Sequence, residues 1–154
     1  MTLFGARAAA PVVMAAMLLA CSSTPKPTQV AVAIEVSAQA NPSVSGRPSP
    51  LMVRVYELKS AAAFNSADFM SLYERDQATL GPEMIGREEF VLSPGASKPY
   101  AKTLSPDTRF LGFVAAFRDL DRAQWRSTLA VQPGKSQKIV VRASALAIEA
   151  APAR

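Results

Sequence analysis

Side chains able to carry nucleophilic, metal or acid–base chemistry are scarce in this chain. It has no histidine and a single cysteine, Cys21. Ser-His and Cys-His nucleophile pairs are therefore excluded, as are metal sites built on imidazole or on several thiolates. Glu88 and Glu89 are adjacent, but neighbouring residues on a strand point to opposite faces, which keeps them from acting as a paired acid and base. Asp119 and Asp121 flank Leu120 in RDLDR, a spacing that could contribute to calcium binding. Each has an arginine beside it, Arg118 or Arg122, which favours a solvated, charge-paired turn. No glycine-rich phosphate loop is present, since Gly46 and Gly134 lie in turn sequences. The expectation is a protein without catalytic site, metal or cofactor.

One reactive position remains, and its neighbours say what happens to it. Arg7 is the only charge before an uncharged stretch, residues 8–20, that holds Val12, Val13, Met14, Met17, Leu18 and Leu19. A positive residue followed by a short apolar run reads as an export signal, too short for the roughly 20 residues that span a bilayer. The run ends in Leu18-Leu19-Ala20-Cys21, which resembles a bacterial lipobox: a leucine three positions before the cysteine, a small residue just before it, then the thiol that receives lipid. A lone thiol in an exported protein has no internal disulfide partner, and lipidation removes it. Residues 1–20 are thus expected to be a removed signal peptide and Cys21 a multiply acylated anchor, stable where a single chain would hold only marginally. Ser22 stands where an aspartate would retain an enteric-type lipoprotein in the inner membrane, so the expected location is the periplasmic face of the outer membrane.

What is left is the size of one domain, residues 29–150, behind a polar, proline-containing tether at 21–28. Loss of Arg7 leaves 16 basic against 12 acidic residues, a net charge of +4 scattered singly along the chain, which argues against nucleic-acid binding. Period-two alternation of Val30, Val32, Ile34 and Val36 predicts a first strand over 30–37, and LMVRVYEL a second over 51–58. Between them, residues 39–50 hold three prolines and a glycine, and a loop of that length between two core strands is a candidate for function. Residues 64–80 change to helical spacing, with Asn65 or Ser66 as cap, Asp68 in the first turn and Gly81-Pro82 as the stop. Further strands are expected at 88–92, 100–104, 109–118, 124–131 and 137–148, the one at 109–118 apolar on both faces and so central and covered. Seven short strands with regular turn signals predict an antiparallel β-sandwich with a small helical insertion. Trp125, the only tryptophan, reads as a packing residue.

Four segments together are similar to one family: GRPSPLMVRVYELKS at 46–60, FNSADFMSLYERDQATLG at 64–81, the Ser93-Pro94-Gly95 turn, and FLGFVAAFRDLDRAQWR at 110–126. They resemble the TssJ family, small outer-membrane lipoproteins of the bacterial type VI secretion membrane complex. The resemblance implies a transthyretin-like β-sandwich with an added helical element and no enzymatic activity. It also implies binding to the C-terminal periplasmic domain of the inner-membrane protein TssM, within a trans-envelope complex. The family ties TssM binding to the loop between the first two strands, here residues 39–50, which makes Asn41, Pro42, Ser43, Val44, Ser45, Gly46, Arg47 and Pro48 the contact candidates. Two other readings stay open: a lipoprotein chaperone or pilotin, and a small ligand-binding module. The second needs an exposed aromatic platform, for which one tryptophan and three dispersed tyrosines are thin material.

Overall fold

The alternating segment that opens the domain becomes the middle of a sheet. A computed structural model describes residues 25–154; the signal, Cys21 and the first part of the tether lie outside the described residues. The strands are β1 Thr28–Val36, β2 Leu51–Leu58, β3 Met84–Leu92, β4 Ser97–Leu104, β5 Phe110–Ala115, β6 Arg126–Ala130, β7 Ser136–Ala143 and β8 Ile148–Pro152. Helices α1 Ala62–Ser66 and α2 Phe69–Leu80, then one 3-10 turn at Gly81–Glu83, separate β2 from β3.

Two four-stranded sheets, ordered β4-β1-β7-β8 and β3-β2-β5-β6, pack face to face. β1 buries Val30, Val32, Ile34 and Val36 against Leu51, Val53 and Val55 of β2 and Leu111 and Phe113 of β5. This is the predicted sandwich, with two differences. β1 runs parallel to β7, Gln29 opposite Ser136, while the remaining strand pairs are antiparallel. And the expected long strand at 137–148 is two strands: the Ser144 N–H donates to the Ala147 carbonyl at 2.8 Å, and the chain returns as β8, making eight strands. RASALAIEA contains no glycine or proline, so nothing in it signals that turn.

β2 is covered on both faces, because the helical insertion lies on the outer side of its sheet. Tyr56 and Leu58 of β2 and Val114 of β5 form a second core there with Phe64, Leu72 and Leu80. Gly112 makes room for it: a Cβ at that position would stand 2.9 Å from the Phe64 ring. Asp68 is the N-cap of α2 itself, accepting from the Ser71 N–H at 2.9 Å and the Ser71 hydroxyl at 2.7 Å, while Asn65 and Ser66 belong to α1. The Ser71 amide, with its hydroxyl, holds the Asp68 carboxyl below its ordinary range.

Under α2 lies a polar network that the sequence pattern hides. Arg75 departs from helical geometry (φ −137°, ψ 36°), which interrupts the hydrogen-bond ladder of α2. The buried Arg54 guanidinium meets the exposed acceptors, donating to the Leu72 carbonyl at 3.0 Å and the Tyr73 carbonyl at 3.2 Å. It also pairs with Glu89 at 2.7 Å, and Arg87 pairs with the buried Asp76. Burial pushes the Tyr56 hydroxyl up to about 12, so it remains a neutral phenol that donates to Asp76 at 3.1 Å. Every member has a partner, as a buried polar cluster requires.

Candidate functional site

The loop between β1 and β2 is held at its base by one side chain. Asn41 is 3% exposed and adopts a left-handed conformation, φ 52°, which asparagine tolerates better than most residues. Its Oδ1 accepts from the Arg118 N–H at 2.8 Å, and its Nδ2 donates to the Pro50 carbonyl at 2.8 Å. Its own N–H donates to the Ala145 carbonyl at 3.0 Å, and its carbonyl accepts from the Ser49 hydroxyl. One residue thus ties three segments together: the far end of its own loop, the turn after β5, and the turn between β7 and β8.

Beyond Asn41 the tip closes on itself. The Gly46 N–H donates to the Ser43 carbonyl at 2.8 Å, the Ser43 N–H to the Arg47 carbonyl at 2.8 Å, and the Arg47 N–H to the Ser43 hydroxyl at 3.2 Å. Gly46 supplies the positive φ, 76°, that the turn needs. The eight contact candidates therefore divide. Asn41 is buried and fully engaged, and Pro42 and Ser43 are half-buried. Val44, Ser45, Gly46, Arg47 and Pro48 face solvent, Val44 at 111% exposure. A fully exposed branched aliphatic side chain on a hydrogen-bonded tip gains nothing from the fold, and such groups mark contact surfaces when neighbours extend the patch.

The neighbours are in RDLDR. Ser43 and Val44 line an open groove with residues 118–122, and the Arg118 Nε donates to the Ser49 hydroxyl at 3.0 Å, bracing the return arm of the loop. Arg122 pairs with Asp119 at 2.6 Å, and that guanidinium holds the Asp119 carboxyl below its ordinary range. The segment is a charge-paired turn in part: Asp119 has Arg122, while Arg118 serves Ser49 and Asp121 has no ion pair among the described residues. The segment's place beside the loop tip is what the sequence alone does not reveal, because the two are about 70 residues apart in the chain and meet through Asn41 and Ser49. Glu88 and Glu89 separate: Glu89 serves Arg54, and Glu88 faces Lys102 at 3.6 Å.

The loop also has a definite position in the domain. β1 begins beside the β4–β5 and β6–β7 turns, with Thr28 opposite Leu104 and Gln29 opposite Ser136, and ends at the loop. Nine strand residues at about 3.3 Å each put roughly 30 Å between the tether's entry and the loop. Tether and loop occupy opposite ends of the sandwich.

Residues 28–146 match the model of one family, "Type VI secretion lipoprotein, VasD, EvfM, TssJ, VC_A0113". The chain belongs to the type VI secretion lipoprotein family. Its fold is similar to that of the T6SS lipoprotein TssJ1 from Pseudomonas aeruginosa, at 40% identity and a TM-score of 0.81, over 83% of this chain and 98% of that one. It is similar to Serratia marcescens Lip, described as a membrane-bound component of the type VI secretion system, at 25% identity and TM-score 0.75, covering 83% and 97%. It is also similar to a chain in a structure described as the T6SS protein TssM C-terminal domain from EAEC, at 25% identity and TM-score 0.65, covering 81% and 98%. No curated protein matches the chain. The TssJ resemblance read from the four sequence segments and the β-sandwich with its helical insertion stand together with these findings.

Proposed function

We propose that this type VI secretion lipoprotein is anchored by lipid on Cys21 to the periplasmic face of the outer membrane. There it holds the C-terminal periplasmic domain of TssM through residues 39–50, as a structural rather than an enzymatic subunit. The observation that carries this reading is the placement of a pre-ordered, solvent-facing tip at the end of the sandwich away from the tether. An anchored domain so built presents its loop toward whatever approaches from across the periplasm. Prior ordering by Asn41 and the Ser43 to Arg47 hydrogen bonds lowers the entropy lost on association. The structure described for EAEC TssM supports a TssM-class partner.

Calorimetric titration of the purified chain against the TssM periplasmic domain tests the partner. Val44→Asp with Arg47→Glu removes the exposed aliphatic group and reverses the loop's one charge, and both side chains are exposed. The double variant is expected to bind at least tenfold more weakly, about 1.4 kcal/mol, with an unchanged melting curve. Equal affinity would move the interface to another face. The anchor is tested separately: Cys21→Ser is expected to abolish lipid labelling and outer-membrane fractionation while leaving the circular-dichroism melt as it was. Retention of the serine variant with the outer membrane would remove the lipoprotein reading.

A further inference from the structure

The route by which the chain enters the domain decides which surface meets the bilayer. Residues 25–27 do not extend the tether; they lie along a groove lined with Pro106, Pro133 and Gly134. The Gly134 N–H donates to the Thr28 hydroxyl at 2.8 Å and the Gln29 N–H to the Lys135 carbonyl at 3.0 Å, fixing the entry point against the β6–β7 turn. Between an anchor at Cys21 and the first described residue stand only Cys21 to Thr24. Whatever their conformation, four residues reach at most about 14 Å. Headgroups occupy about half of that. The tether end of the sandwich is thus held within about one Debye length of the lipid phosphates, where attraction is only partly screened.

That end is cationic once its own pairs are discounted. Asp107 faces Lys59 at 3.5 Å and Glu57 is buried against Lys102 at 2.5 Å, which leaves the half-buried Glu83, held by the Ala63 N–H, as one acid still charged against three exposed cations. Lys26, Arg109 and Lys135 are exposed and have no ion-pair partner among the described residues. We infer that this end of the sandwich seats on an anionic phospholipid surface, with Lys26, Arg109 and Lys135 against the headgroups, so that lipid and charge together set the domain upright. The inference rests on the lipid anchor at Cys21.

Amine-reactive labelling of the lipidated full chain in vesicles tests it. Lys26 and Lys135 are expected to react at least threefold more slowly in vesicles containing phosphatidylglycerol than in phosphatidylcholine alone, and to recover at high salt. Lys98, at the opposite end of β4 beside the loop end of β1, is the internal control and should react equally in both. Equal labelling of Lys26 and Lys135 in the two vesicles, or a slowing that includes Lys98, overturns the seated orientation. Flotation with phosphatidylcholine vesicles reads the anchor independently: a chain that floats but shows no lysine protection keeps its anchor and loses this orientation, and one that does not float loses both.

Discussion

Phe113→Ala is expected to bring the domain to the edge of unfolding, with a cost of about 3–5 kcal/mol out of the 5–15 kcal/mol that holds a typical domain together. Phe113 has no exposed surface and sits midway along β5, with Val55 of β2 on one side and Ser127 of β6 on the other. Its ring fills the space between the sheets with Leu111 on its own strand and Val32 and Ile34 from the facing one. β5 is an interior strand carrying rigid neighbours on both flanks, so the surroundings have little freedom to collapse into the space left. A large fall in denaturant midpoint with unchanged slope is the predicted result, and a shift below about 1 kcal/mol would show the ring to be peripheral. Val114, one position on, is a poorer probe of the core. It points to the helices and lies opposite Arg54 and Arg126, so a carboxylate introduced there would meet two guanidinia instead of an apolar wall.

Asn41→Ala is the second large effect, at about 3–4 kcal/mol. It removes the acceptor of the Arg118 N–H and the donor to the Pro50 carbonyl, both part-buried, so each stranded group costs toward the lower end of about 1–3 kcal/mol. It also places alanine at φ 52°, adding roughly 1 kcal/mol. Asn41→Gly should recover the backbone part and leave the hydrogen-bond part. If alanine and wild type melt together, water replaces the amide and the loop is not pinned. If residues 39–50 hold TssM as proposed, the same variant should weaken that binding beyond what its stability loss explains, because the tip would have to be ordered on association.

Much of this architecture is legible in one dimension. The period-two valines of β1, the two-faced apolar run of β5 and the change of period before α2 each follow from local geometry, and Gly81-Pro82 does stop the helix. What is not legible depends on distant partners. Nothing near Gln29 announces a parallel neighbour at Ser136, and the turn at 144–147 is made by backbone hydrogen bonds without a breaker residue. Arg54 reads as one polar position in an apolar strand until α2 supplies its carbonyl acceptors. Within the candidate loop, proline content and length pick out the segment. They do not distinguish Asn41, which holds it, from Val44, which it presents, since burial is decided by Arg118 and Ala145 from elsewhere in the chain.

The pairing of β1 with β7 also sets a schedule. β1 is central in its sheet, yet its parallel neighbour is made more than 100 residues later, so a chain emerging from its N-terminus must hold an apolar strand with one edge open until almost everything else has followed. Closing so long a loop before its contacts are rewarded places the domain among the slower folders, in the millisecond-to-second range. During that interval the open edge is the segment most exposed to pairing with other chains. Folding therefore has an order: the sheet that carries the tether is the last to be completed.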